Sequence, residues 1–261
     1  MAGWLISTDL DGTLLNHKTY DYTGIVALLA QLKAHAIPVI LNSSKTRAEL
    51  SKWRECLDLT WPVIAENGGV IQIGQQPAIL TGRPIKQIRT FLNLWRDQHG
   101  WLFEGFGDWT VEQVIQHTGL NAQDARNAQQ REVTEPILWL GEAPGLVLFE
   151  QALAQQGLQL QKGGRFYHVM AQHSKASALK TLLINQEYQK LPEQTDWQLL
   201  VLGDGENDRA MLEMADVAVV MPDAKGQYLS LNSNNQIYQA QQSAPLGWIE
   251  AVKRWVLKEA E

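Results

Sequence analysis

A chain of 261 residues has room for one large domain or two smaller ones. Its 45% hydrophobic and 19% charged residues belong to a folded globular protein and exclude a disordered or fibrous one. With 22 Lys plus Arg against 28 Asp plus Glu, the net charge of -6 excludes a diffuse cationic surface for nucleic acid or anionic lipid, so any bound anion must be held locally.

"GWLIST" at the start is apolar, too short for a helix and bounded by Asp and Gly, which predicts a buried parallel strand. "YTGIVALLAQLKAHA" has helical spacing and leads to "IPVILNSS", a second buried strand, so the chain opens with a β-α-β unit. "KTRAELSKWRECLDL" predicts a helix, and "PVIAENGGVIQI" a strand, a turn at Asn67-Gly68-Gly69 and a returning strand. From about residue 82 to 170 the character changes. Helical pieces ("IKQIRTFLNLWRDQHG", "TVEQVIQHTGL", "NAQDARNAQQ") alternate with the strands "EPILWL" and "FYHVM", as in an inserted α/β subdomain. After it come a helix ("SKASALKTLLINQEY"), a strand ending in Gly and Asp ("WQLLVLGDG"), a helix ("ENDRAMLEMA"), a strand ("DVAVVM") and a closing amphipathic helix ("GWIEAVKRWVLKEAE"). The predicted fold is α/β: a Rossmann-like parallel-sheet core from residues 1–81 and 171–261, with an inserted α/β cap at 82–170.

Cys56 is the single cysteine, which excludes an intrachain disulfide and a multi-cysteine zinc site. "MAGWLISTDLDG" lacks the basic leader of a signal peptide, and no stretch reaches the roughly 18 to 20 apolar residues of a membrane helix. A cytoplasmic protein without membrane or nucleic-acid partners is expected.

In open α/β sheets ligands collect past the carboxyl ends of the strands. Those positions carry Asp9 and Asp11, then Ser43, Ser44 and Lys45, then Asp204, Asn207 and Asp208, with Lys175 opening the helix before the late strand. Clustered aspartates repel unless protons or a cation intervene, which points to a hard divalent metal, and magnesium leaves room in its shell for a phosphate oxygen. Lys175 and the Ser43 hydroxyl suit a phosphoryl group. Taken singly, an Asp after a strand is as readily a turn or capping residue, a Ser pair a helix cap and Lys175 a solvated helix residue. Their joint placement at strand ends and helix starts is what points to a site.

At these residues the chain resembles the haloacid dehalogenase superfamily, whose first motif is Asp-x-Asp-Gly-Thr and whose last is Gly-Asp-x-x-x-Asp: "DLDGT" at 9–13 and "GDGEND" at 203–208 match both. The resemblance implies Asp9 as nucleophile, Asp11 as general acid and base, Ser43 as phosphate-binding hydroxyl and Lys175 as cation. Asp9, the Asp11 carbonyl and Asp204 would hold Mg2+, supported by Asn207 and Asp208. A carboxylate nucleophile divides one hard displacement into two easier ones. "SSKTRAE", "ENGG", "REVTEP", "GGRFYHV" and "PLGW" further resemble the mannosyl-3-phosphoglycerate phosphatase family, which makes the compatible solute mannosylglycerate. That family usually has "REYSEP" where Val133 removes a phenol that could have contacted the sugar, and Lys-Gly where this chain has Lys175-Ala176.

The implied substrate is a phosphorylated glycoside. Its expected contacts are Ser44, Lys45, Glu66, Asn67 and Gly68 in the core, with Arg131, Arg165 and His168 in the cap. The two arginines suit the glycerate carboxylate because guanidinium binds carboxylate bidentately; surface pairs with Glu132 or Glu135 are the competing reading. Trp101, Trp109 and Trp139 of the cap read first as core fillers and second as sugar platforms. Glucosyl-3-phosphoglycerate, sucrose phosphate and hexose phosphates stay open as substrates, as do a sugar phosphomutase and a non-catalytic sugar-phosphate binder.

Overall fold

The structure, a computed structural model, describes residues 3–184 and 196–258. Strand β1 (Gly3–Thr8), helix α1 (Ile25–Ala34), β2 (Val39–Asn42), α2 (Arg47–Cys56) and β3 (Val63–Ala65) wind as two successive β-α-β units. A 3-10 turn at Glu66–Gly68 reverses the chain into β4 (Val70–Gln72), which runs antiparallel to β3 and is followed by β5 (Ile79–Leu80). The next stretch holds α3 (Ile85–His99), β6 (Phe103–Gly105), α4 (Val111–Thr118), α5 (Ala122–Gln129), β7 (Thr134–Trp139), α6 (Ala143–Gln155), β8 (Leu158–Lys162) and β9 (Tyr167–Ala171). The chain then returns through α7 (Lys175–Ile184), β10 (Trp197–Gly203), α8 (Arg209–Glu213), β11 (Val217–Val220), β12 (Gln236–Gln239) and α9 (Leu246–Val252).

Two sheets result. The eight-stranded sheet has the order β12-β11-β10-β1-β2-β3-β4-β5, parallel from β12 through β3. Its central strands are predominantly apolar because both faces are covered. Ile6, Leu200 and Leu202 turn toward α1 and α9, while Leu5, Leu199 and Val201 turn toward α7 and α8. The four-stranded sheet is antiparallel with the order β6-β7-β9-β8. Phe103, Ile137, Leu158 and Val169 on one of its faces pack against α3 and α6. Phe106 and Trp109 join α4 and α5 in a separate cluster.

The order of the large sheet positions the site. β10, β1 and β2 are parallel neighbours, so the residues following each of them, Asp204, Asp9 and Ser43, emerge at one edge.

Several elements depart from the sequence expectations. β5, β6, β8, β12 and α6 were not foreseen; β5 and β6 are two and three residues long, and α6 begins at a Pro-Gly pair that masks its start, although Pro is tolerated in a helix's first turn. The closing helix is α-helical only to Val252 and continues as a π-helical turn over Lys253–Leu257. The predicted helix beginning at Ser174 is seen to Ile184, and its remainder lies outside the described residues. Among the described residues no helix is long and apolar enough to cross a membrane.

Candidate active site

Asp9 continues the β1 ladder, its amide donating to Leu202 O at 3.0 Å. Its carbonyl accepts the Thr8 hydroxyl at 2.7 Å, and that hydroxyl accepts the indole N–H of fully buried Trp248 at 3.1 Å. The chain then turns sharply: the amides of Thr13, Leu14 and Leu15 all donate to Leu10 O. Gly12 has φ +82°, and a Cβ there would lie 2.6 Å from Asp204 Oδ2, so the turn needs glycine for both conformation and space. Thr13 Oγ1 donates to Asp204 Oδ1 at 3.3 Å, tying the first motif to the last.

Lys175, on its own readable as a solvated residue, is fully buried at the start of α7. Its Nζ stands 2.6 Å from both Asp9 Oδ1 and Asp208 Oδ1. Asp208 Oδ2 accepts the amides of Asp204 and Gly205, each at 3.0 Å, so one oxygen of this carboxylate holds Lys175 and the other shapes the loop. Burial pulls the Lys175 ammonium down, but Asp208 and Asp9 outweigh it and hold the pKa above the ordinary lysine value. Burial pushes Asp9 up to about 6, with Lys175 opposing and Asp208 and Asp11 reinforcing. Asp204 is pushed up to about 8 by burial, then by Asp9 and Asp208.

Asp9, Asp204 and Asp208 each offer an oxygen within 4.8 Å of the others. One ammonium does not neutralise three close carboxylates, and their mutual repulsion adds to burial in raising the pKa values of Asp9 and Asp204. An all-oxygen, carboxylate-rich donor set with this excess charge fits a hard divalent cation. Asn207 sits beside it, its amide donating to Asn67 Oδ1 at 3.2 Å.

Asp11 Oδ2 pairs with Lys45 Nζ at 2.8 Å, and Asp11 Oδ1 is buried without a hydrogen-bond partner among the described residues. Lys45, expected to touch substrate, is therefore first a partner of Asp11; burial opposes its charge, yet Asp11 and Glu49 raise its pKa. Ser43 is buried at the end of β2, with Oγ accepting Lys45 N at 3.4 Å.

A cleft of about 420 Å3 opens here, bounded by Asp11, Ser44 and Lys45 from the large sheet and by Arg131, Arg165 and His168 from the segment at 82–170. A larger hollow of about 700 Å3 lies against Arg54, Gln72 and Gln75, but Asp9, Asp11, Asp204 and Asp208 do not border it. Arg131 donates to Ser44 O at 2.8 Å and to Ala128 O at 3.0 Å, and Arg165 donates to the carbonyls of His117 and Thr118. Neither is paired with Glu132 or Glu135: Glu132 pairs with Arg47 and Glu135 with Arg89. His168 is buried, and burial, then Arg131 and Lys175, lower its pKa to about 3.

Three expectations are corrected. Glu66 is not a substrate contact: its fully buried carboxylate accepts the amides of Glu132, Val133 and Thr134 and the Thr134 hydroxyl, at 2.7 to 3.0 Å. Asn67 and Gly68 are likewise structural. Asn67 is buried and bonded to Asn207, and Gly68, at φ +96°, lies so close beneath α7 that a Cβ would meet Ser174 O at 2.1 Å. Position 133 does not face a sugar, because Val133 is fully buried against Gly69 and Gly82. Trp101, Trp109 and Trp139 pack within the second unit: Trp101 against Trp95 and Phe149, Trp109 on His117 and Trp139 on Phe103.

Residues that sequence reasoning missed are Thr8, Thr13, Tyr20, Glu49 and Trp248. Thr13 and Trp248 lie inside the motifs "DLDGT" and "PLGW", and Glu49 completes a T-x-x-E capping box with Thr46, so these carried a signal. Tyr20 carried none beyond its nearness to the first motif.

A family profile described as haloacid dehalogenase-like hydrolase matches residues 6–237. The chain is 30% identical over 274 aligned positions to a glucosyl-3-phosphoglycerate/mannosyl-3-phosphoglycerate phosphatase of Persephonella marina, covering 98% of each protein. To the protein of the same name from Methanococcoides burtonii it is 32% identical, with 95% of each covered. Its fold superposes on a Thermoplasma acidophilum crystal structure with a TM-score of 0.70 at 16% identity, over 97% of this chain and 98% of that one. With both motifs at one sheet edge and the profile spanning most of its length, the chain belongs to the haloacid dehalogenase-like hydrolase family.

Proposed function

We propose that this chain is a magnesium-dependent phosphomonoesterase that hydrolyses mannosyl-3-phosphoglycerate, or a close glycosyl-3-phosphoglycerate, through an aspartyl-phosphate on Asp9. The observation that carries the reaction is Asp9 held 2.6 Å from a fully buried Lys175, with Asp11 two residues away at the cleft. The substrate class is supported by the names of the near-full-length relatives. With Cys56 as lone cysteine, we place the protein in the cytoplasm.

In this mechanism an Asp9 carboxylate oxygen attacks phosphorus and the bond from phosphorus to the glycerate oxygen breaks. Asp11 delivers a proton to the leaving alkoxide, then removes one from the water that attacks the aspartyl-phosphate and returns Asp9 as carboxylate. Lys175 and the Ser43 hydroxyl hold the non-bridging oxygens, the fully buried Lys175 countering their charge. Asp9, Asp204 and the Asp11 carbonyl would hold Mg2+, with Asp208 and Asn207 fixing the loop. When bound, the ion neutralises the carboxylates and the phosphoryl oxygens.

Residues 82–170 form the cap over a core of 1–81 and 171–261. Arg131 and Arg165 face the glycerate carboxylate from the cap. Each guanidinium carries five N–H donors, more than its backbone partners use. Ser44, Lys45 and His168 line the remaining wall.

The test is phosphate release, with Mg2+ and with EDTA, from mannosyl- and glucosyl-3-phosphoglycerate, 3-phosphoglycerate, sucrose phosphate and hexose phosphates. Metal-dependent release favouring the glycosyl phosphoglycerates is expected. Isomerisation of a sugar phosphate without free phosphate, or full activity in EDTA, would overturn the proposal.

A further inference from the structure

Beside the main cleft lies a second cavity of about 150 Å3, bounded by Tyr20, Trp53 and Leu120 with Lys45, Glu49 and Asp124. Tyr20, Lys45, Glu49 and Leu120 also border the cleft, so the two spaces adjoin. Lys45 marks the junction: its Nζ is 2.8 Å from Asp11 Oδ2 and 5.3 Å from the centre of the Tyr20 ring. The cavity thus opens beside the carboxyl that handles the leaving oxygen.

Cavity size limits the guest. Space of this order accommodates one six-membered ring. Two of its lining residues are aromatic, Tyr20 and Trp53, whose rings stack with centroids 6.3 Å apart at 30°, and Tyr22 braces Trp53 edge-on at 5.9 Å. The rim is charged but internally balanced. Lys52 Nζ lies 2.6 and 2.8 Å from the two oxygens of Asp124, and the buried Glu49 carboxylate faces Lys45 at 3.9 Å. Paired charges of this kind offer acceptors and donors to hydroxyl groups while giving a second anionic group no net attraction. An apolar platform with a hydrogen-bonding, electroneutral rim is the chemistry of a neutral pyranose, whose C–H face packs on an aromatic ring while its hydroxyls turn to the rim.

We propose that this cavity is the glycosyl subsite, taking the neutral hexose ring of the substrate against Tyr20 and Trp53, an assignment that rests on the glycosyl-phosphoglycerate function above. The substrate's connectivity suits it: the sugar is attached at the carbon next to the one bearing the phosphate, so the ring lies close to the leaving oxygen and to Asp11. The tryptophans of the cap are occupied in packing. The aromatic platform comes instead from α2 and from the loop after the first motif, and the cap contributes Leu120 and Asp124. Tyr20 stands at φ +55° with its amide donating to Asn16 O at 2.9 Å, while Asn16 Oδ1 accepts the amides of Lys18 and Thr19. The loop thereby presents the ring in a backbone conformation uncommon for a bulky residue.

The experiment compares kcat/KM on mannosyl- and glucosyl-3-phosphoglycerate with that on sugarless 3-phosphoglycerate, for the wild type, Tyr20→Ala and Trp53→Leu. The glycosyl-to-sugarless ratio should fall about tenfold in each variant, chiefly through KM. Tyr20 is at the surface, so its variant folds even where the Trp53 variant does not. As a second arm, mannosylglycerate should inhibit the wild type competitively, with a Ki raised by a similar factor in Tyr20→Ala. A ratio and Ki that stay within about twofold of wild type in folded Tyr20→Ala overturn the subsite alone. A wild type that releases phosphate from no glycosyl phosphoglycerate overturns the function and the subsite together.

Discussion

Lys175 Nζ lies 2.6 Å from Asp9 Oδ1 while entirely shielded from water, and it makes an equal contact with Asp208. A buried ammonium between two carboxylates is stable only as a set, because removing one member leaves uncompensated charge. Lys175→Met should therefore lower stability by about 3–5 kcal/mol and abolish turnover. Chemical denaturation and phosphate release check the two effects, and a variant as stable and active as wild type would remove Lys175 from the site.

Gly12 bears on the same ions through space alone. A methyl group at this position would press on Asp204 Oδ2 at 2.6 Å and impose an unfavourable φ. Gly12→Ala should retain secondary structure by circular dichroism yet lose activity by about a hundredfold or more, and the Mg2+ concentration giving half-maximal rate should rise.

Glu66 joins the two sheets by accepting four hydrogen bonds from residues 132–134. Glutamine retains the shape but turns an N–H2 toward donors. Glu66→Gln should cost about 2–4 kcal/mol, since the lost bonds are charge-assisted and the stranded amides are buried. Thermal unfolding measures this. Because Glu66 ties residues 132–134, next to Arg131 of the cleft, to the large sheet, KM should rise more than kcat falls.

His168 is held neutral at a pKa of about 3 by burial, Arg131 and Lys175, against about 6.5 when unfolded. Between those values the unfolded chain binds the extra proton, so stability falls as pH drops below 6.5 and levels off near 3. From pH 7.5 to 5 the contribution is on the order of 1–2 kcal/mol. His168→Gln should flatten this dependence, and parallel denaturation curves for wild type and variant would contradict the buried neutral imidazole.

The residues that meet at the sheet edge were legible in the sequence because three of them follow apolar strand runs: Asp9 after "GWLIST", Ser43 after "VILN" and Asp204 after "WQLLVLG". Strand order, which brings those three ends together, is a long-range property that local patterns do not encode. The stretch that forms the four-stranded sheet was legible as a change of texture at 82–170. Its short strands β6 and β8 were not, since three to five residues give periodicity little to act on. Glu66 read as a substrate contact because a glutamate in a glycine-rich turn gives no sign that it faces the backbone at 132–134, 66 residues or more away. Val133 misled in the same way. The missing phenol mattered only if the position faced the cleft, and it faces Gly69 and Gly82.

The central claim, that Asp9 carries the phosphoryl group, is tested most directly by acid-quenching a single turnover with 32P-labelled mannosyl-3-phosphoglycerate and mapping the label by digestion. The expected result is a transient, hydroxylamine-labile label on the peptide bearing Asp9, absent from Asp9→Asn, which keeps its fold. Turnover by Asp9→Asn at the wild-type rate, or a label on any other residue, would contradict it.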